Sequence, residues 1–373
     1  MRVAAFDLRA QQQTLREDLL TAIDAVLSEG QFILGGRVEL LEQRLAEFCG
    51  AGWGIGVANG SDGLALSLLG LGIGPGDEVI VPAFTFFATA GAVARVGATP
   101  VFVDVDLDTY NIDVDGLERR LTKRTRAMIP VHLFGRPAAM EQVMSVAAGR
   151  DLFVVEDAAQ AIGAAIGGRR VGSWGDAAVL SFFPTKNLGG CGDGGMVLTR
   201  SASLAEQLRM LRVHGSRRKY YHEILGFNSR LDELQAAILL VKLDRLDEWT
   251  SQRRRLAHRY DALFAEAGLA DRLGLRPVEP GLQHVYHQYT IRLRERDALQ
   301  GFLKANGIGT SVYYPLPLHL QPVFRSLGYE KGALPNSERL CQEVLSLPMY
   351  PELTVDEQDD VVECVRRFFR SSS

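Results

Sequence analysis

The sequence predicts an α/β fold in which a largely parallel sheet lies between two layers of helices. Short runs that are apolar at consecutive positions alternate with stretches of helical periodicity through much of the chain. Runs of this kind are typical of strands buried on both faces, which occur mainly in parallel sheets covered by helices. Ligands of such sheets bind at the carboxyl ends of the strands, so polar groups that follow a strand are the first candidates for function.

The N-terminal part of the chain predicts two helices, and the strands of the sheet come after them. Apolar residues from Leu15 to Leu27 recur with helical period, and Gly30 ends a predicted helix over 12–30. A second helix, over 38–48, follows the break at Gly35 and Gly36. The predicted strands then cover 78–81, 99–103, 127–131, 152–155, 177–181 and 195–199.

The C-terminal part has a different organisation. The stretch 231–267 contains neither glycine nor proline and predicts a long helix or a helix pair, with the arginines at 253–255 on a solvated face. A strand over 288–293, a helix over 298–306 and a turn at Pro315 and Pro317 indicate a small α+β unit. We therefore predict a large domain over 1–250 and a small C-terminal domain over 251–373.

Composition restricts the function classes. The chain has 373 residues, of which 47% are hydrophobic and 23% charged, as in an ordinary globular protein. Its net charge of -4 provides no excess of positive field for nucleic acid binding. No signal-peptide core or membrane-spanning run is apparent, and the four cysteines show no metal or disulfide spacing. We therefore expect a cytoplasmic protein without a metal site, a nucleic acid partner or a membrane partner.

Lys186 is the most informative single residue. It lies in the run SFFPTKNLGGCGDGG at 181–195, between hydroxyl groups and glycines that allow close approach of the backbone. A lysine that is desolvated or placed near positive charge loses its proton near neutral pH and becomes a nucleophile. This context suits Schiff-base formation with a phosphate-bearing aldehyde cofactor, whereas a lysine in an arbitrary loop is more often simply solvated.

Asp157 follows the predicted strand over 152–155. A carboxylate at this position can hydrogen-bond the pyridine nitrogen of such a cofactor and make the ring an effective electron sink. The alternative is a helix cap, since Asp is preferred at that position. Gln160 lies about one helical turn further on, within reach of the phenolic oxygen of the ring.

The segment around Gly60 and Ser61 predicts a phosphate site. It leads into an apolar helix over 64–71, and a helix start presents free N–H groups and the positive end of the helix dipole. The same residues would also make a good helix cap. Ser181 could supply a second hydroxyl to the phosphate. Phe86 could lie against the cofactor ring, although an aromatic residue there is more often part of the core.

Together these segments resemble the DegT/DnrJ/EryC1/StrS family of nucleotide-sugar aminotransferases, and the similarity runs nearly end to end. The motifs that carry the resemblance are NGSD at 59–62, PAFTF at 82–86, EDAAQ at 156–160, SFFPTKN at 181–187, GDGG at 192–195 and NSRLDE at 228–233. The resemblance implies a pyridoxal 5'-phosphate enzyme of fold type I, the aspartate aminotransferase type, with a mostly parallel seven-stranded sheet and a small C-terminal α+β domain.

The resemblance also assigns roles. It implies Lys186 as the Schiff-base lysine and proton shuttle, Asp157 at the pyridine nitrogen and Gln160 at the ring hydroxyl. It places Gly60, Ser61 and Ser181 at the phosphate, which Asn228 would reach from the neighbouring subunit of a homodimer. L-glutamate is the implied amino donor.

The expected acceptor is a keto sugar linked to dTDP, aminated at C3. This chain has Tyr313 and Tyr314 where many such members carry a His-Tyr pair, and Phe183 where others often have tyrosine. The alternatives are a UDP-linked 3-keto sugar, such as a 3-keto-N-acetylglucuronate, or a 4-keto sugar. Candidate sugar and diphosphate contacts are Lys219, Arg230, Tyr313, Tyr314 and His319, each of which could instead have a packing role.

Two rival functions follow from the same family. Some relatives remove a sugar hydroxyl, but they carry histidine at the position of Lys186. A non-enzymatic regulator could use the same scaffold, although a binding protein has no need for a Schiff-base amine. The intact lysine, aspartate and phosphate segment favour the aminotransferase.

Overall fold

A computed structural model describes residues 2–371 and shows an α/β architecture. Its strands, in chain order, are β1 (Trp53–Val57), β2 (Glu78–Pro82), β3 (Thr99–Val103), β4 (Thr125–Met128), β5 (Phe153–Asp157), β6 (Ala165–Ile166), β7 (Arg169–Arg170), β8 (Ala177–Ser181), β9 (Gly195–Thr199), β10 (Ser216–Arg218), β11 (Tyr221–His222), β12 (Leu282–Gln283), β13 (Tyr289–Arg292) and β14 (Val344–Leu347).

The helices cover both faces of the sheet and build most of the C-terminal part. They are α1 (Arg9–Thr14), α2 (Arg16–Glu29), α3 (Gly36–Cys49), α4 (Gly60–Gly70), α5 (Ala88–Arg95), α6 (Met140–Ala148), α7 (Ala202–Leu211), α8 (Glu233–Leu243), α9 (Leu246–Glu266), α10 (Arg296–Ala305), α11 (Pro335–Glu343) and α12 (Val355–Ser371). Short 3₁₀ helices cover Glu118–Arg120, Leu133–Gly135, Leu318–Leu320 and Pro322–Leu327.

The central sheet has seven strands in the order β1-β9-β8-β5-β4-β2-β3. Neighbouring strands are parallel except at β9, which is antiparallel to both β1 and β8. The predicted fold class is therefore confirmed. Because β5 and β8 are adjacent and parallel, their carboxyl ends bring Asp157 and Ser181 to the same edge of the sheet.

Most predicted elements lie where the sequence placed them, and three strands have the predicted bounds: β3, β8 and β9. The predicted helix over 12–30 is divided into α1 and α2 at Leu15, and Gly30 ends α2 with a φ of 69°. The pattern missed β1, because Gly54 and Gly56 interrupt its apolar run. Gly54 permits close packing of α3: a Cβ there would lie 2.5 Å from the carbonyl oxygen of Glu42.

A second core lies beside the sheet and is built mainly from the C-terminal part of the chain. Residues of α9, α10, α12, β13 and β14 pack together, and Val3 from the N-terminal end joins them. The predicted boundary at residue 250 lies within α9, whose residues from Ala257 onward contribute to this core. We propose that the small domain comprises this core together with the first residues of the chain.

The expectation of a solvated face at 253–255 is wrong for Arg253. Its side chain is 2% exposed, and Nη1 donates hydrogen bonds to the carbonyl oxygens of Tyr286, His287 and Met349. These acceptors lie far along the chain, so local periodicity could not reveal them. Arg253 thereby links α9 to two segments of the C-terminal part.

Candidate active site

A cavity of about 730 Å³ opens at the carboxyl ends of β5 and β8. It brings together residues that are widely separated in the sequence. The predicted site residues that line it are Gly60, Ser61, Phe86, Asp157, Gln160, Ser181, Lys186, Tyr313 and Tyr314. The topology explains this convergence, because β5 and β8 end at this edge of the sheet and α4 begins there.

Lys186 lies in a tight loop that follows β8. Its backbone N–H donates to the carbonyl oxygen of Phe183 at 2.8 Å. Gly189 makes the turn possible, since a Cβ there would lie 2.3 Å from the carbonyl oxygen of Pro184. Burial lowers the pKa of Lys186 to about 8, and the charge of Asp157 opposes that shift. About a tenth of the amine is then unprotonated at pH 7, far more than for a solvated lysine, which favours a role as nucleophile and proton carrier.

Buried polar groups from other elements fix this loop. Nζ of Lys242, on α8, donates to the carbonyl oxygen of Gly189 at 2.7 Å. Asn187 donates through Nδ2 to the carbonyl oxygen of Val285 at 3.1 Å, and its Oδ1 lies 3.1 Å from Nδ1 of His287. The loop that carries the lysine is therefore anchored to both parts of the chain.

Asp157 is the last residue of β5 and is almost fully buried. Its Oδ2 accepts a hydrogen bond from the hydroxyl of Thr89 at 2.8 Å, and its Oδ1 accepts one from the N–H of Ala159 at 3.2 Å. Burial raises the pKa of Asp157, while these hydrogen bonds oppose the shift. A positively charged ring nitrogen beside it would favour the ionised carboxylate.

Gln160 has a fixed orientation. Its Oε1 accepts from the backbone N–H of Phe134 at 2.7 Å, and its Nε2 donates to the hydroxyl of Tyr314 at 3.1 Å. Because a backbone N–H is a donor only, the amide oxygen of Gln160 must face Phe134. The amide nitrogen therefore remains on the side of Tyr314, from which it can donate to a ligand oxygen.

The N-terminus of α4 provides a cradle for an anion. Asn59 caps the helix by accepting a hydrogen bond from the N–H of Asp62 at 2.8 Å. The first-turn amides of Gly60 and Ser61 have no intrahelical acceptors, and they lie at the positive end of the helix dipole. A Cβ at Gly60 would lie 3.1 Å from Cβ of Ser181, and one at Gly195 would lie 2.5 Å from the backbone carbon of Asn59.

This geometry fits pyridoxal phosphate. The cradle at Gly60, Ser61 and Ser181 suits a phosphate, and Asp157 and Lys186 face the same cavity. The ring of Phe86 is 56% exposed and lines the cavity, as an aromatic residue that covers a flat ligand would. Lys186 Nζ makes no hydrogen bond within residues 2–371, so it is available to a ligand.

Four predicted site residues, Asn228, Lys219, Arg230 and His319, do not line the cavity of their own chain. Asn228 and Lys219 are exposed, and Arg230 is partly exposed. Lys219 lies in the hairpin formed by β10 and β11, where its Nζ is 5.2 Å from the ring centroid of Tyr220. The side chains of Asn228, Lys219 and Arg230 are therefore not part of the cavity that their own chain forms.

His319, a candidate for sugar contact, is buried and does not line the cavity, which favours the packing role that the sequence left open. Its side chain is 1% exposed, and Nε2 lies 3.2 Å from Oε1 of Glu338. Its ring packs beside Phe102 and Tyr329. The 3₁₀ helix Leu318–Leu320, which follows the proline turn, directs this histidine into the core.

The sequence did not identify several residues that build the site, namely Thr89, Phe134, Lys242 and His287. Each acts through a partner far along the chain, so no local pattern marks it. Asn187 directly follows Lys186, and its polar side chain inside a glycine-rich loop was a signal that could have been used. Within residues 2–371 we find no group of three or more metal-binding side chains. None of the helices in this range is long and apolar enough to cross a membrane.

Comparison with known sequences identifies close relatives. Residues 13–366 match the DegT/DnrJ/EryC1/StrS aminotransferase family. The chain is 54% identical over 371 residues to a pleiotropic regulatory protein of Geobacillus stearothermophilus, with 99% of each chain covered. It is 48% identical to UDP-N-acetyl-3-dehydro-alpha-D-glucosamine 3-aminotransferase of Acidithiobacillus ferrooxidans, with 97% of this chain and 96% of the relative covered. It is 45% identical to dTDP-3-amino-3,4,6-trideoxy-alpha-D-glucose transaminase of Streptomyces venezuelae, with 98% and 96% covered.

Solved structures agree with these sequences. DesV of S. venezuelae, in complex with a ketimine intermediate, superimposes with a TM-score of 0.95 at 45% identity, and 98% of each chain is covered. NtdA of Bacillus subtilis, with the bound cofactor PMP, has a TM-score of 0.89 at 35% identity, with 95% of this chain and 82% of that chain covered. Both structures therefore match the large and the small part of this chain.

Proposed function

We propose that this chain, which belongs to the DegT/DnrJ/EryC1/StrS aminotransferase family, transfers the amino group of L-glutamate to the C3 keto group of a dTDP-linked keto-deoxysugar. The chain is a pyridoxal phosphate-dependent sugar aminotransferase, as family membership and its relatives indicate. The observation that carries the proposal is the convergence of Lys186, Asp157 and the cradle at α4 in one cavity.

The residues of the cavity divide the work. Pyridoxal phosphate, when bound, supplies an electron sink for the electron pair left when a proton leaves the carbon next to nitrogen. We assign Gly60, Ser61 and Ser181 to its phosphate and Asp157 to its ring nitrogen. Lys186 Nζ removes the proton from the α-carbon of glutamate in the first half of the reaction and delivers a proton to C3 of the sugar in the second.

The sugar nucleotide would enter from the open side of the cavity. Tyr313 and Tyr314 line the cavity, and the Tyr314 ring centroid lies 6.1 Å from that of Phe86. We assign these two tyrosines to the sugar. Asp193 also lines the cavity and is exposed, so it is available for a sugar hydroxyl.

A UDP-linked 3-keto sugar is the second candidate acceptor. The relative at 48% identity is named for a UDP-linked 3-keto substrate, whereas the relative at 45% identity is named for a dTDP-linked product. The two names agree on the 3 position and differ in the nucleotide. Both names therefore support amination at C3.

A panel of substrates tests this proposal. Purified protein would be incubated with L-glutamate and each of four acceptors, dTDP-linked and UDP-linked sugars that carry the keto group at C3 or C4, and products would be identified by mass spectrometry. We expect amination of the dTDP-linked 3-keto sugar. If only the UDP-linked 3-keto sugar is aminated, the substrate carries UDP instead of the proposed dTDP. If only 4-keto sugars are aminated, the proposed transfer to C3 is contradicted. Without any amination, the regulatory function named for the 54% identical relative would gain support.

We also propose that the active unit is a homodimer with shared sites. The hairpin and the loop that follows it, residues 216–227, expose large apolar side chains: Leu225 is 91% exposed and Tyr220 is 81% exposed. Exposed apolar patches of this kind mark interaction surfaces. Asn228 lies at the end of this segment, where a partner chain would bring it to the phosphate of the neighbouring cavity. The cytoplasmic location expected from the sequence stays a prediction.

Mixing two inactive variants tests the shared site. Lys186→Ala removes the lysine, and Asn228→Ala removes the proposed partner contact. In a mixed dimer, one of the two sites would combine an intact Lys186 with an intact Asn228. We expect activity to reappear on mixing after reversible dissociation, whereas activity no greater than the sum of the separate variants would show that each chain works alone.

A further inference from the structure

His287 borders the same cavity as Lys186 but has no role in the assignments above. Its side chain is 4% exposed and contributes to the cavity wall. Hydrogen bonds to one loop hold its segment in place: Val285 N–H donates to the carbonyl oxygen of Gly135 at 3.0 Å, and Gln288 N–H donates to that of Phe134 at 3.3 Å. A Cβ at Gly135 would lie 2.9 Å from the backbone nitrogen of His287, so this approach depends on glycine. The position of His287 is therefore tightly defined.

The hydrogen bonds of Asn187 determine which ring nitrogen of His287 carries a proton. Nδ2 of Asn187 faces the carbonyl oxygen of Val285, which can only accept. Oδ1 of Asn187 therefore faces Nδ1 of His287 at 3.1 Å, and that ring nitrogen must donate. A neutral imidazole has one N–H, so Nε2 is unprotonated. Nε2 has no hydrogen-bond partner within residues 2–371, and it is left for a group in the cavity.

The charges around His287 keep the ring neutral. Burial lowers the pKa of His287 well below its ordinary value, and the positive charges of Lys186 and Arg253 lower it further. Asp157 is the acidic group that acts on Lys186. The other titratable groups that line the cavity are Asp62, Arg95, Asp193, Tyr313 and Tyr314. A neutral imidazole in the wall of the cavity that Lys186 also lines is therefore the stable arrangement.

Lys186 needs such an acceptor at one stage of the proposed reaction. When its amine is not attached to the cofactor, it alternates between the amine and the ammonium form as it moves a proton. Asp157 is then directed to the ring nitrogen and is a weaker partner for the ammonium. An acceptor without charge can hold the ammonium and still release its proton.

We propose that His287 is a positioning residue for Lys186: fixed by Asn187, it presents an unprotonated Nε2 that accepts a hydrogen bond from the free Lys186 ammonium. This inference rests on the proposed function, because it concerns the stage at which Lys186 is detached from the cofactor. It assigns to Asn187 the role of fixing the histidine tautomer. It also explains why a buried polar pair joins the lysine loop to the small domain.

Chemical labelling of Lys186 tests the proposal without measuring turnover. Full-length protein loaded with pyridoxamine 5'-phosphate would be acylated with isotope-labelled acetic anhydride at a series of pH values. Mass spectrometry of the peptide that contains Lys186 gives the midpoint of its protonation. For His287→Leu we expect this midpoint to fall by about one pH unit, because the ammonium loses a charge-assisted hydrogen bond. His287→Gln, whose amide offers both a donor and an acceptor, should keep the midpoint within a few tenths of a unit.

Two controls separate this role from general effects on the cavity. Tyr314→Phe also removes a polar group from the cavity wall but leaves Asn187 and His287 intact, so its midpoint should stay near that of the unmodified protein. Asn187→Leu keeps the histidine but removes the acceptor for Nδ1, and we expect a smaller downward shift. If His287→Leu no longer binds the cofactor, the midpoints of His287→Gln and Asn187→Leu are compared instead.

The outcomes are distinct. An unchanged midpoint in His287→Leu, or an equal fall in the Leu and Gln variants, would overturn the positioning role. A midpoint that falls with Leu and is restored with Gln would support it. Because no sugar is present, this result stands even if the substrate panel yields no aminated product, so failure of the proposed function is recognised separately.

Discussion

The floor of the cavity and the hairpin segment 216–227 differ in their relation to the cavity of their own chain. The floor is formed by Asp157, Ser181, Lys186 and the N-terminus of α4, and the hydrogen bonds that hold Asp157 and cap α4 come from the same chain. The hairpin segment carries exposed apolar residues and ends at Asn228, which lies outside the cavity of its own chain. We propose that one part of the cofactor site is built by a single chain and that a second copy of the chain supplies the other part.

Removal of the Lys186 amine should have the largest effect, and it tests the role assigned to the cavity floor. For Lys186→Ala we expect the rate of transamination to fall by at least about 10³-fold, because the nucleophile and the proton carrier are lost together. Cofactor binding, measured by absorbance after gel filtration, should largely persist through Asp157 and the cradle. Lys186→Arg, which keeps a positive charge without a nucleophilic amine, should be equally inactive. A normal rate in either variant would contradict the assignment.

A charge in the hairpin segment should have the next largest effect and tests the other region. Leu225→Glu places a carboxylate where we propose an apolar contact, and we expect the association of subunits to weaken by about 2 kcal/mol or more. Light scattering across a dilution series measures this change, and cofactor affinity should fall with it. Val355→Glu is the matched control, since Val355 is 56% exposed at the start of α12. An unchanged dimer in Leu225→Glu would remove the hairpin from the interface.

The pH dependence of the free energy of unfolding tests whether Lys186 is buried away from water in the cavity floor. In cofactor-free protein the pKa of Lys186 is about 8, whereas an unfolded chain gives about 10.4. The unfolded state then binds more protons between these values, so stability rises with pH across that window. Relative to Lys186→Met, we expect a gain of roughly 2 kcal/mol from pH 8 to pH 10, measured by urea unfolding. Lys219→Met, in the exposed hairpin, is the control for loss of a lysine. A flat difference would show that Lys186 is well solvated.

His319 should have the smallest effect and marks where the site ends. Because this histidine is buried against Glu338, we expect His319→Gln to lower the free energy of unfolding by about 1 kcal/mol and to leave kcat and KM unchanged. Thermal unfolding and steady-state kinetics measure the two effects. A large rise in the KM for the sugar nucleotide would show that His319 contributes to substrate binding.

The sequence predicted those parts of the molecule in which the signal is local. Strands β3, β8 and β9 are continuous apolar runs, and Asp157 and Lys186 follow strands whose ends meet because the sheet is parallel. The hydrogen bond between Asn187 and His287 was not predicted, because it joins residues from distant segments. The burial of Arg253 and of His319 was not predicted for the same reason: it depends on hydrogen-bond partners that no nearby pattern reveals.

Transfer of labelled nitrogen shows whether the cavity around Lys186 carries an amino group from glutamate to the sugar. Holoenzyme would be treated with nitrogen-15 L-glutamate, freed of the excess by gel filtration, and then given the dTDP-linked 3-keto sugar. We expect 2-oxoglutarate in the first stage and nitrogen-15 on C3 of the sugar in the second, with neither product from Lys186→Ala. If 2-oxoglutarate does not form, or if the sugar gains no label, Lys186 and its cavity do not carry an amino group between these two substrates.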